Sequence, residues 1–155
     1  MTHRRLAAWA ADCAEHVLPL FNKFSSDDRP QRAVEVARAW AKGEVPVGAA
    51  QKAAVAAHAA AREMTSKSAS AAARAAGHAV ATAHMADHSM GAAIYGIKAV
   101  EAAGKSGSVE RRWQIARLPI HLRVLMVSAL ERRTAKPSRP KRKLAFIGRA
   151  SCTSR

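Results

Sequence analysis

Apolar residues recur every three or four positions through the first part of the chain, which is the spacing of an amphipathic helix. In residues 3–24 they form one stripe, with charged residues toward the other side. The stripe consists of Leu6, Trp9, Cys13, Val17, Leu20 and Phe24. Pro19 lies inside this pattern, where it removes a backbone donor and clashes with the preceding turn. We therefore predict a first helix that is kinked or broken near residues 15–18.

The same spacing predicts further helices joined by short polar, glycine or proline connections. They cover residues 30–42, 47–64, 70–87, about 89–103, 109–117 and 119–133. Asp28 or a neighbouring polar residue can cap the second helix, Pro30 suits its first turn, and Gly43 ends it. Strand-like runs of Val, Ile and Thr are absent. The sequence therefore predicts an all-α fold, a compact array of six or seven helices forming one domain over residues 1–133.

Small residues dominate the predicted core. Hydrophobic residues make up 49% of the chain, much of it alanine, and aromatic residues only 5%. Alanine buries little area per side chain, so such a core gains stability when helix backbones approach closely. Gly77, Gly91 and Gly96 would each cost about 1 kcal/mol relative to alanine inside a helix. Their presence predicts close contacts between helices at these positions.

The charge is unevenly distributed. The chain carries +15, and the segment from Arg132 to Arg155 holds nine Lys and Arg without an acidic residue, so residues 1–131 carry only +6. Dense like charge with proline predicts that residues 134–155 are disordered. A flexible basic arm would bind polyphosphate without sequence preference, which makes non-specific nucleic-acid binding through the tail one hypothesis. A solubilising extension is the other.

The chain has the features of a cytoplasmic protein without a membrane partner. Arg4 and Arg5 precede an apolar run that Asp12 cuts too short for a secretory signal. The longest region of small apolar residues contains an arginine, three histidines and an aspartate, which a membrane helix would tolerate poorly. Cys13 lies on an apolar stripe and Cys152 in the polar tail, as expected of two free thiols in a reducing compartment.

Three histidines and an aspartate interrupt the apolar segment at residues 77–88. Imidazole rings are costly to bury without partners. His84 and His88 are four residues apart, which on a helix places both on one face, as for two ligands of one metal ion. The candidates for a third ligand, which would come from another helix, are His58, His16 and Glu15. The alternative is that the histidines make hydrogen bonds in a crowded helix interface, without a metal.

Catalytic motifs are missing from the sequence. The serines lie in loops without a Gly-x-Ser-x-Gly elbow, and Gly104-Lys-Ser-Gly107 lacks the preceding strand and glycine spacing of a phosphate-binding loop. The tryptophans Trp9, Trp40 and Trp113 have the apolar helical spacing of core residues rather than the exposed setting of base-stacking ones. We therefore predict no catalytic residues and no cofactor. The alternative is a metal-binding helical protein or a metal-dependent enzyme, with a divalent metal at His84 and His88.

Three sequence blocks together resemble the immunity-protein-five-like family of small all-α bacterial proteins. The blocks are LAAWAADCAEHVLPLF (6–21), DRPQRAVEVARAWAKGE (28–44) and AGHAVATAHMADH (76–88). The resemblance covers roughly residues 5–131. It implies a cytoplasmic protein of a polymorphic toxin system that binds and neutralises a cognate protein toxin without catalysis.

Polar residues matching the family provide the candidate site. They are Asp12, Glu15, Asp28, Arg29, Arg38, Glu44, His78, His84, Asp87 and His88. Among them, Glu15, Asp28, Arg29, His78 and Asp87 form the candidate cluster, with either a functional or a structural role. The chain departs from the family in its basic extension. Because charge complementarity steers association, a +15 chain fits an acidic toxin better than a basic nuclease.

Overall fold

The computed structural model describes residues 2–134, and throughout this part the chain folds into helices joined by short connections. The helices are α1 (Thr2–Asn22), α2 (Arg29–Lys42), α3 (Val47–Glu63), α4 (Lys67–Ala81), α5 (His88–Ala102), α6 (Gly107–Arg117) and α7 (Ile120–Thr134). This confirms the predicted all-α class and the upper helix count for residues 2–134. The predicted disordered tail lies, beyond Thr134, outside the described residues.

Helix α4 lies at the centre of the fold and packs against α1, α2, α3 and α5. Ala72, Ala73, Ala75 and Ala76 are completely buried although they point in different directions around the helix. A helix that is apolar on all sides is expected where neighbours surround it. Small side chains allow these neighbours to approach, so the alanine content that the sequence shows is concentrated where the packing is closest.

A second apolar cluster fixes the C-terminal helices to α1 and α5. It contains Trp9, Cys13, Met90, Ala93, Leu118, Leu122, Met126 and Leu130. The indole Nε1 of Trp9 donates a hydrogen bond to the carbonyl oxygen of Gln114 at 2.8 Å. Burial raises the pKa of the Cys13 thiol well above its usual value, so Cys13 serves as a packing residue.

The structure corrects the predicted break and extent of the first helix, and it shows how deeply each tryptophan is buried. Helix α1 continues unbroken through Pro19, which is solvent-exposed and lies in the last turn. Near a helix end, and facing water, the lost backbone hydrogen bond is inexpensive. Phe24 lies beyond the helix and is exposed rather than part of the stripe. Of the three tryptophans only Trp9 is fully buried, while Trp40 and Trp113 are partly exposed.

The predicted helix over residues 70–87 is also wrong at both ends. Helix α4 begins earlier, where the Ser66 hydroxyl accepts a hydrogen bond from the Ala69 backbone N–H. It ends at Ala81, and residues 82–87 form turns before α5 starts at His88. A ring nitrogen of His3 on α1 hydrogen-bonds the Thr82 carbonyl oxygen at this end. Among residues 2–134, no helix is long and apolar enough to cross a membrane.

Candidate functional site

His84 and His88 do not share one helical face, which corrects the geometry assumed for the predicted metal site. His84 is exposed in the turn after α4, and His88 is the first residue of α5. Their ring centroids are nevertheless 4.9 Å apart, with the ring planes inclined at 59°. The chain reversal between α4 and α5, rather than helical periodicity, brings the two rings together.

His78 on α4 is the centre of a larger histidine cluster, which we define as His58, His78, His84 and His88. Its ring centroid lies 5.1 Å from that of His58 on α3 and 5.3 Å from that of His88. The Nδ1 atoms of His78 and His88 are 3.2 Å apart, within reach of one hydrogen bond. His78 also stacks on Tyr95 of α5, at 5.1 Å and 13° between ring planes. The cluster therefore joins three helices.

Glycines provide the space that the imidazoles occupy. A Cβ atom on Gly77 would lie 2.7 Å from Cε1 of His58, and one on Gly91 would lie 2.6 Å from Nδ1 of His78. Both distances are shorter than a carbon atom can approach without displacing its neighbour. Gly77, Gly91 and Gly96 mark close helix contacts as predicted: the first two meet a histidine ring on a neighbouring helix, and a Cβ atom on Gly96 would lie 2.9 Å from the Gln114 amide nitrogen.

The cluster favours an uncharged His78. Burial, together with the nearby His58, His88 and Arg74, lowers the pKa of His78 to about 4. Burial also lowers the pKa of His58. A neutral imidazole has one N–H donor and one acceptor nitrogen, which suits the Nδ1–Nδ1 contact between His78 and His88.

The metal-site hypothesis requires a third ligand. His58, one of the three candidates, belongs to the histidine cluster, whereas His16 and Glu15 make their contacts elsewhere. Within residues 2–134, no group of three or more His, Cys, Asp or Glu side chains is arranged to hold a metal ion. Metal binding by His84 and His88 stays a prediction.

The candidate polar residues are distributed over three regions. Glu15 lies between α1 and α2, where the Arg38 guanidinium binds Asp12 at 2.8 Å and Glu15 at 2.5 Å. Asp28 and Arg29 lie at the start of α2, while His78 and Asp87 lie at the α4–α5 corner. In the first region, the ion pairs join two helices and leave the carboxylates partly exposed.

At the start of α2, the carboxylate that binds Arg29 and caps the helix belongs to Asp27, which the sequence analysis did not name. Arg29 binds the carboxylate of Asp27 and also reaches Glu63 at the end of α3, each at 2.5 Å. Asp27 accepts the backbone N–H of Arg29 at 2.9 Å, so it caps the helix. The side chain of Asp28 makes no such cap, and its ion pair with Arg32 is long, at 3.8 Å, and exposed.

A buried carboxylate was missed by the sequence reasoning. Glu110 on α6 is 4% exposed, and its Oε2 is 2.8 Å from Nδ1 of His16 on α1. The Gln114 amide donates hydrogen bonds to Glu110 at 2.9 Å and to the Ala93 carbonyl oxygen at 3.1 Å. His16 also stacks on Trp113, with ring centroids 3.7 Å apart. This network fastens α6 to α1 and α5.

Tyr95 and its basic neighbours were missed as well. His88, Gly91, Tyr95 and Lys98 are spaced by three, four and three residues, which places them along one face of α5. Apart from His88, these residues lie within the helix predicted over about 89–103, so their shared face could have been detected from the sequence.

Several polar groups hold helices together, among them Arg29, Arg38 and Glu110, and a few rings and charges lie at the surface. The chain matches the family described as Imm-5 like putative immunity protein over residues 1–121 and belongs to that family. No curated protein and no solved structure shows a significant match.

Proposed function

We propose that this protein is an immunity protein, which binds a bacterial toxin and neutralises it as a stoichiometric partner, without catalysis. The family match over residues 1–121 carries this proposal. The matched region contains α1 to α6 and therefore includes the histidine cluster and the ion pairs of Arg29 and Arg38. The functional surface is accordingly expected within the helical domain, not in the basic extension that departs from the family.

The mechanism we propose is occlusion of the toxin's active site by a preformed helical surface. Arg38 joins α1 to α2, Arg29 joins α2 to α3, and the Glu110 network joins α6 to α1 and α5. Contacts of this kind fix the positions of the helices before the partner arrives. Less ordering entropy is then lost on binding, which favours high affinity. We expect the encounter to take place in the cytoplasm, where both thiols would stay reduced.

The first step of the test is to look for a toxin-domain gene beside the gene for this protein and to express it. Cells expressing that toxin should survive when the full-length protein is co-expressed, and the two purified proteins should elute together as a complex of fixed stoichiometry. A toxin that stays lethal, or a mixture that elutes as two separate proteins, would refute immunity. The protein with α6 destabilised by Gln114→Pro provides a control that should fail to protect.

A further inference from the structure

A second surface feature lies beside the histidine cluster, where the connection between α3 and α4 meets α5. It is a cavity of about 390 Å³ that opens to solvent. Three cations line it, Lys67, Arg74 and Lys98, together with Tyr95, and its lining contains no acidic residue. We refer to it as the basic cavity.

Among the residues that the structure describes, the three cations form no ion pair with an acidic side chain. Within residues 2–134 no ion pair of 4.0 Å or less involves Lys67, Arg74 or Lys98, whereas Arg29 and Arg38 each bind two carboxylates. The lining hydroxyls are engaged differently: Ser66 caps α4, and Ser70 donates a hydrogen bond to the Ala61 carbonyl oxygen at 2.8 Å. The charge of the basic cavity is therefore free to act on a ligand.

The aromatic ring holds two of these cations in place. The Lys98 ammonium lies 4.8 Å and the Arg74 guanidinium 6.0 Å from the centroid of the Tyr95 ring. Cations at such distances are attracted by the ring's electron density. The ring itself is fixed by its stacking on His78. The histidine cluster thus supports the wall of the basic cavity.

We propose that the basic cavity receives an acidic side chain of the partner protein, an inference that rests on the proposed immunity function. Arginine can bind a carboxylate through two parallel hydrogen bonds, and Tyr and Arg are the residue types that dominate binding energy at protein interfaces. The apolar residues Met64 and Ala102, also in the lining, suit the methylene groups of a glutamate. The +6 charge of residues 1–131 favours an acidic partner on the same grounds.

The cavity is tested independently of any toxin by NMR on the full-length protein, with acetyl-Glu-Glu-amide as the probe. Saturable shifts of backbone amides should be confined to residues 64–74 and 95–102, and acetyl-Gln-Gln-amide should cause none. The double variant Arg74→Gln/Lys98→Gln should weaken binding at least about tenfold. The control Lys23→Gln/Lys52→Gln removes the same charge from exposed positions outside the cavity and should weaken it less than about twofold.

The proposal would be overturned if the amides of these residues did not shift. It would also be overturned if the two double variants lost equal affinity for acetyl-Glu-Glu-amide. Inorganic phosphate that binds there more tightly than the dipeptide would overturn the assignment to an acidic side chain. Toxin binding then separates the two levels of inference. If the wild-type protein fails to bind the toxin, the immunity function is refuted. The NMR titration with acetyl-Glu-Glu-amide still tests whether the basic cavity binds acidic side chains. If Arg74→Gln/Lys98→Gln binds the toxin as tightly as the wild type, immunity stands and the cavity's role in it is refuted.

Discussion

The imidazole of His78 occupies the space that a side chain at Gly91 would need, since a Cβ atom there would lie 2.6 Å from its Nδ1. Gly77 and His58 have the same relationship, at 2.7 Å from Cε1. Each glycine is therefore matched to a histidine on a different helix. The glycines and the histidines of this segment are two parts of one packing arrangement.

Replacing Gly91 by alanine should destabilise the protein although alanine is the better helix former. The methyl group displaces the ring of His78 from its stack on Tyr95, and overpacking of this kind costs about 1–3 kcal/mol. Gly48→Ala is the matched control, because nothing lies within 4 Å of a Cβ atom there, and it should be neutral or stabilising by up to about 1 kcal/mol. Urea unfolding measures both. Equal effects of the two substitutions would contradict the proposed packing role.

Stability should fall as the pH decreases from about 6.5 toward 4. Burial and the nearby His58 lower the pKa of His78 to about 4, so between these values the unfolded chain binds the proton more readily than the folded one. The stability that neutral His78 contributes is fully present above about pH 6.5 and is lost as the pH falls to about 4. Because the ring is partly exposed and water screens its interactions, we expect this loss of stability to be about 1–2 kcal/mol.

Urea midpoints at pH 7.5 and pH 4.5 measure this effect. His78→Phe keeps an aromatic ring against Tyr95 but removes the titrating group, so most of the difference between the two midpoints should disappear. A wild-type midpoint that does not change with pH, or an equal change in the variant, would show that His78 is not responsible.

Two adjacent aspartates should differ in their effect on stability. Asp27→Ala removes the acceptor of the Arg29 backbone N–H and should cost about 0.5–2 kcal/mol. The hydrogen bond from Arg29 also lowers the pKa of Asp27 and keeps it ionised. Asp28→Ala removes the same charge but only a long, exposed ion pair, so its cost should stay below about 0.5 kcal/mol. Thermal unfolding would rule out this assignment if the Asp28 variant were the less stable.

Removing the hydrogen bond between His16 and Glu110 should lower the free energy of unfolding, because Glu110 is buried. His16→Phe retains an aromatic ring over Trp113 but leaves Glu110, whose side chain is 3% exposed, without its hydrogen bond to the imidazole, which should cost about 1–3 kcal/mol. Adding Glu110→Gln to that variant removes the buried charge and should recover part of the loss. Unfolding free energies of the two single variants and the double variant form the test. Strict additivity would mean that the two residues do not interact.

The helical class could be predicted from the sequence because it depends on local properties. Alanine content, the recurrence of apolar residues every three or four positions, and breakers such as Gly43 act within a few turns of helix. Six of the seven helices were predicted close to where the structure has them. The exception was the helix predicted over residues 70–87, which the structure places at Lys67–Ala81. The apolar run there continues into the chain reversal that follows α4. The local sequence of residues 82–87 contains neither glycine nor proline to mark the end of the helix.

The site depended far more on tertiary structure. The sequence itself determined that the histidines and glycines of residues 77–91 needed an explanation, since both are unfavourable in an alanine-rich helix unless something compensates. The fold alone decided what compensates, because His58 and Tyr95 meet His78 only after α3, α4 and α5 pack together. In the same way, Glu110 is like any other glutamate in the sequence until α6 packs on α1. Side-chain burial and pairing are set by distances between helices, which a linear pattern does not contain.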